Sequence, residues 1–162
     1  AVLDGKLKEY ADFLEQYVQL LSEQLLQEKD KREALLDNDP KRIEAVLQAQ
    51  QAALMKLKNF EQKRIEMQDK LGFSGMSAEE MLKALESRGC EELGRLRTLF
   101  KKLRDTANEI KEFNKISTDY AKKQLKFIEL LTQQDGGDGS DGIYGSQGSK
   151  EFKSGHTLEK TI

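Results

Sequence analysis

The sequence predicts an all-α protein: an elongated antiparallel helical bundle or coiled-coil hairpin with a long C-terminal helix and a flexible, Gly-rich tail. Three observations carry this. Proline occurs once in 162 residues, at Pro40, and seven of the 12 glycines lie at or after Gly136. Between the breakers, apolar residues recur at alternating spacings of three and four, the signature of a packed helix face. Charged residues make up 35% of the chain and Trp is absent, a composition that suits long solvated helices. A helical region over residues 1–134 and a tail over 135–162 follow, with helices at about 3–36, 40–71, 77–87 and 91–132.

The first helix rests on Leu7, Ala11, Leu14, Val18, Leu21 and Leu25, widened by Tyr10, Phe13 and Tyr17 into a bundle-type face. Its seam weakens at Glu28 and Arg32 and resumes at Leu35. Asp37-Asn38-Asp39-Pro40 ends it, with Asp39 placed to cap the next helix and Pro40 at its first position. The second helix carries Ile43, Leu47, Leu54, Leu57, Phe60, Ile65 and Leu71, and Gly72 reads as its C′ glycine. So short a linker predicts an antiparallel hairpin. Ser77 followed by Glu80 marks a capping box, opening a short helix with Met81, Leu82 and Leu85 on its apolar face.

The last helix holds its seam for five heptads: Leu93, Leu96, Phe100, Leu103, Ala107, Ile110, Asn114, Ser117, Ala121, Gln124, Ile128 and Leu131. From Glu91 to Leu131 ten basic residues stand against seven acidic, net +3. From Asp4 to Asp37 nine acidic residues stand against five basic, net −4. Antiparallel packing of these two runs is the expectation from charge. Leu14, Leu21, Leu54, Phe100, Leu103 and Ile110 are expected to be buried.

Several chemistries are excluded or disfavoured. No apolar run reaches the roughly 18 residues a membrane span needs, and nothing at the start reads as a secretory signal, so no membrane insertion is expected. One cysteine, Cys90, and one histidine, His156, leave no disulfide framework, thiolate cluster or histidine metal site. Cys90 at a helix start is followed by Glu91 and Glu92, which work against thiolate activation. The acidic balance, with a pI near 5.7, argues against nucleic acid. The basic run Arg95, Arg97, Lys101, Lys102 and Arg104 has no interleaved aromatics and reads as a solvated face. Residues 136–144 match a calcium-binding nonapeptide once, whereas that repeat binds ions in stacked copies, so the stretch reads as linker. No phosphate loop, nucleotide fingerprint or catalytic dyad stands out. No enzyme activity, catalytic residue, cofactor or metal is expected.

Asn114, Ser117 and Gln124 interrupt the last apolar seam. Two readings stand open: register control by buried polar groups, or a seam partly open to a partner.

The order of these pieces resembles the FlgN-type flagellar export chaperones. The resemblance runs over about residues 7–148. Tyr17-Val18-Gln19-Leu20-Leu21-Ser22-Glu23 and Glu33-Ala34-Leu35-Leu36 carry it in the first helix, followed by the turn to Pro40 and Ile43-Glu44-Ala45-Val46. Arg64, Leu71, Gly72, Ser77, Ile110, Asn114, Ser117 and Tyr120 continue it. Ile143-Tyr144-Gly145-Ser146-Gln147-Gly148 is similar to that family's Tyr-Gly-x-x-Gly tail. The resemblance implies a cytoplasmic chaperone without catalysis. Its clients would be the C-terminal helical segments of hook–filament junction proteins of the FlgK and FlgL type. It would keep them unassembled and deliver them to the export gate, with FlhA as partner. On that reading Ile110, Asn114, Ser117, Ala121, Gln124, Ile128 and Leu131 are the candidate client surface, and two readings of Tyr144 stand open: the candidate gate contact, or an incidental residue of a spacer. The free protein could associate with itself. The alternative is a structural helical-bundle oligomer with no chaperone role.

Overall fold

In the computed structural model, which describes residues 2–135, each breaker read from the sequence ends or begins a helix. Helix α1 spans Val2–Leu36, α2 Pro40–Lys70, α3 Ala78–Glu86 and α4 Leu93–Asp135. No strand occurs among the described residues. Asp135, expected to open the tail, is the last residue of α4. The Gly-rich tail beyond it lies outside the described residues.

The turns are built as their residues dictate. Asn38 takes a left-handed φ of 51°, which Asn tolerates better than most side chains. The amides of Asn38 and Asp39 donate to the carbonyls of Leu35 and Ala34, closing α1 with a Schellman pair. Asp39 then caps α2 by accepting from the Arg42 amide, with Pro40 directly behind it. Gly72, φ 89°, closes α2 in the same way: its amide donates to Asp69 and that of Phe73 to Gln68. Ser77 and Glu80 form the expected reciprocal capping box at α3.

Helices α1 and α2 are antiparallel. Tyr10 meets Gln68, Tyr17 meets Glu61 and Glu28 meets Gln50, so each step forward on α1 is an equal step back on α2. Helix α4 packs on α1 in the opposite sense. Arg95 meets Asp12, Lys31 meets Asn114 and Asn38 meets Gln124, at nearly constant separations of 83, 83 and 86 residues. A constant separation means parallel helices. The antiparallel expectation for α1 and α4 is therefore corrected. Helix α2 carries the chain back to the start of α1, and the short α3 turns it there, so α4 must run up again. The net attraction between an acidic and a basic helix holds for either direction.

The core lies in the half of the bundle where all four helices meet. Leu7, Tyr10, Leu14, Tyr17 and Leu21 from α1 are fully buried, as are Leu96 and Leu103 from α4 and Met81 and Leu85 from α3. Phe60 stacks on Phe13 at 5.3 Å and meets Tyr17 edge-on at 5.8 Å. Phe100 is buried as expected, whereas Leu54 and Ile110 are half-buried. Leu54 sits one helical turn before Leu57, which takes the inward heptad position of α2 instead. Ile110 packs against the margin of the core, where the apolar layers give way to polar ones.

Candidate functional site

Seven-residue steps along α1 explain its second half. Leu7, Leu14, Leu21, Glu28 and Leu35 form one buried row, and Tyr10, Tyr17, Gln24 and Lys31 form another. The rows stay inward while their chemistry changes from apolar to polar. At the level of Glu28 the bundle interior is a hydrogen-bonded layer. Gln50 of α2 donates to Glu28 across 2.7 Å. Lys31 pairs with Glu28 at 3.1 Å and donates to Asn114 Oδ1 of α4 at 3.2 Å. Ser117 is 2% exposed beside this layer, and its hydroxyl finds no hydrogen-bond partner among the described residues. Burying such groups is costly unless they are bonded, so the layer contributes registry more than stability.

A second buried polar group lies under the aromatic core. Arg64 of α2, 5% exposed, reaches Glu61 at 2.7 Å and Gln68 at 2.9 Å. Burial acts to lower the guanidinium pKa, but Glu61 outweighs it and holds the charge on Arg64 firmly. Tyr17 donates to Glu61 at 2.8 Å. Burial, and then the Glu61 charge, push the Tyr17 phenol well above its ordinary range. Gln68 donates to the carbonyls of Phe73 and Met76, fixing the turn after α2. These interactions bind α2 to α1.

Above the polar layer the bundle opens. A small cluster of Ala34, Leu35 and Ile43, flanked by Leu47 and Tyr120, is the last apolar packing. Gln124 then donates to Asn38 at 2.6 Å, tying α4 to the α1–α2 turn. Arg42 braces that turn from outside through Asp30, Glu33 and Asp37. Beyond Gln124 the hairpin has ended, but α4 continues through residues 125–135 for about 16 Å. Phe127 (62% exposed), Ile128, Leu130 and Leu131 stand there in solvent. Where α4 leaves the turn, Leu35, Asn38, Pro40, Ile43, Ala121, Gln124, Leu125, Phe127 and Ile128 line an open groove of about 340 Å³.

The seven seam residues singled out in the sequence are thus divided. Ile110 borders the core, and Asn114 and Ser117 are enclosed by α1. Ala121, Gln124 and Ile128 line the groove, and Leu131 is exposed beyond it. Tyr144 lies outside the described residues. Helix α1 covers α4 as far as Gln124 because the two are parallel, with Arg95 level with Asp12 and Gln124 level with the turn at Asn38. Sequence reasoning missed Gln24, Lys31 and Gln50 as interior residues, although their seven-residue spacing from Tyr17 and Ile43 was a usable signal. It also missed Phe127 and Leu125 as groove walls, since both lie off the heptad seam.

The remaining candidates fall into structural roles. Arg95 pairs with Asp12 at 2.7 Å and Glu15 at 3.0 Å, joining α4 to α1, while Arg97, Lys101, Lys102 and Arg104 are exposed. Cys90 is partly buried against the core. Among the described residues no group of three or more His, Cys, Asp or Glu could hold a metal ion, and no helix is long and apolar enough to cross a membrane.

These features define a class: an elongated all-α bundle, closed at one end by its core and open at the other with an uncovered apolar helix end. A family model described as FlgN protein matches residues 6–151, and the chain belongs to the FlgN family. It is a flagellar export chaperone in the general sense of that family. Comparison with curated proteins and with solved structures found no match.

Proposed function

We propose that the open end of the bundle is where the chaperone holds its client in the cytoplasm. The client would be the amphipathic C-terminal helix of a hook–filament junction protein of the FlgK or FlgL type. The supporting observation is the overhang of α4, where Phe127, Ile128, Leu130 and Leu131 are exposed beside an apolar groove. A lone apolar helix end in water invites a second helix, and a client helix laid along it would cover its own apolar face. Ala121, Gln124, Ile128 and Leu131 then contact the client directly. Ile110, Asn114 and Ser117, enclosed by α1, act by holding α4 in register. The role requires no catalytic group. Delivery to the export gate would use Tyr144, with FlhA as the docking partner. Self-association of the free protein, if it occurs, would use the exposed end of α4 at Leu130 and Leu131.

Ile128→Glu places a charge in the groove and should weaken binding of a junction-protein C-terminal segment at least about a hundredfold, with helicity by circular dichroism retained. Unchanged affinity on calorimetry would remove this end of α4 from the client site. Tyr144→Ala should retain client binding and thermal stability while impairing export of the junction proteins. Normal export in such cells would exclude Tyr144 as the gate contact.

A further inference from the structure

The groove at the open end adjoins a segment of the chain's own sequence that can reach it. Helix α4 ends at Asp135, and Phe127 on the groove wall lies about 12 Å back along the same helix. Residues 132–142 contain no large apolar side chain, and four of the seven residues from 136 to 142 are glycine. Glycine admits the positive φ values a sharp reversal requires. The first large apolar residues after the helix are Ile143 and Tyr144. The eight residues from Gly136 to Ile143 span up to about 26 Å, twice the distance needed.

We propose that Ile143 and Tyr144 fold back into the groove of the empty chaperone, so that the protein covers its own open end. The groove suits this pair in shape and in chemistry. Its walls are apolar, from Leu35, Pro40, Ile43, Phe127 and Ile128, and its volume of about 340 Å³ admits one or two large side chains. Its lining also carries the amides of Asn38 and Gln124, which can meet the phenol hydroxyl that an aliphatic residue would lack. The tether makes the contact intramolecular, with an effective concentration in the millimolar range, so a weak contact suffices. The docking of the tail stands on this geometry alone. Its competition with a client helix rests on the proposed client site.

Paramagnetic broadening in the full chain tests it, in a Cys90→Ala background. A nitroxide on Lys41→Cys, beside Pro40 at the groove, should broaden the amide signals of Ile143 and Tyr144. One on Lys101→Cys, about 36 Å down α4 from Leu125, should not. Phe127→Glu with Ile128→Glu should abolish the broadening. Equal signals with either label overturn the docking, as does broadening that survives the double substitution. Equal broadening between separately labelled chains in a mixture gives the groove to a second copy and also overturns it. In the full chain, Ile143→Ser with Tyr144→Ser should tighten client binding about fivefold, as expected if the tail occupies the groove roughly four-fifths of the time. Unchanged client affinity alongside intramolecular broadening overturns the shared site, and with it the client reading, but not the docking.

Discussion

Lys31 of α1 donates to Asn114 of α4 across 3.2 Å, 83 residues apart in the chain and both buried. Through Glu28 and Gln50 the same contact reaches α2. One polar layer therefore joins all three long helices at the level where the apolar core ends. A slip of α4 by one heptad would bring Ala107 or Ala121 opposite Lys31, and neither side chain can accept its hydrogen bond.

Removing one member of this layer should cost more than replacing the charged pair. Lys31→Ala removes the cation 3.1 Å from Glu28, which is 4% exposed, and should destabilise the protein by about 3–5 kcal/mol. Glu28→Leu with Lys31→Met should lose far less, or gain stability, because the desolvation cost of both charges disappears. Urea denaturation of the two variants makes the comparison. A double variant as unstable as the single one would show that the layer stabilises the fold outright.

Leu103 is fully buried in the core. Leu103→Ala should therefore cost about 2–5 kcal/mol, the transfer energy plus the cavity left behind. The closed end of the bundle has little freedom to collapse around the gap, since Tyr10 and Phe100 hold their rings 6.2 Å apart nearby. A loss below about 0.5 kcal/mol in chemical denaturation would place Leu103 outside the core.

Alkaline pH should weaken the fold through its tyrosines. Burial raises the phenols of Tyr10 and Tyr17 above their ordinary value, and the Glu61 charge adds to the shift at Tyr17. The unfolded chain releases these protons near pH 10, while the folded chain keeps them. Stability is then fully present below about pH 10 and falls as pH rises past it. The slope is at most about 1.4 kcal/mol per pH unit for each tyrosine. Tyr17→Phe should lower the stability at neutral pH, through loss of the bond to Glu61, yet flatten the decline between pH 10 and 11. Parallel slopes for the two proteins would show that Tyr17 does not carry it.

Ser77→Ala removes half of the capping box and should cost about 0.5–2 kcal/mol. Helix α3 has nine residues and depends on its cap and on the buried Met81 and Leu85. Faster amide exchange should appear first in Ala78–Glu86. Uniformly faster exchange throughout α4 would indicate that the loss spreads beyond the short helix.

Helix limits, caps and turns were legible in the sequence because their causes are local. Pro40, Gly72 and the Ser77–Glu80 pair act through backbone groups a few residues away, and each does in the structure what its chemistry requires. Periodicity likewise exposed the inward face of α4, from Leu96 through Leu103 to Ser117. It could not say what lies opposite that face. The parallel course of α4 on α1 follows from how α2 and α3 route the chain, and net charge carries no direction. Parallel packing is what encloses Asn114 and Ser117, turns Glu28, Lys31 and Gln50 into an interior layer, and leaves Phe127 and Ile128 uncovered past Asn38. A heptad specifies that a residue seeks a partner. Only the meeting of helices far apart in sequence decides which residues find one, and where the bundle stops short of its longest helix.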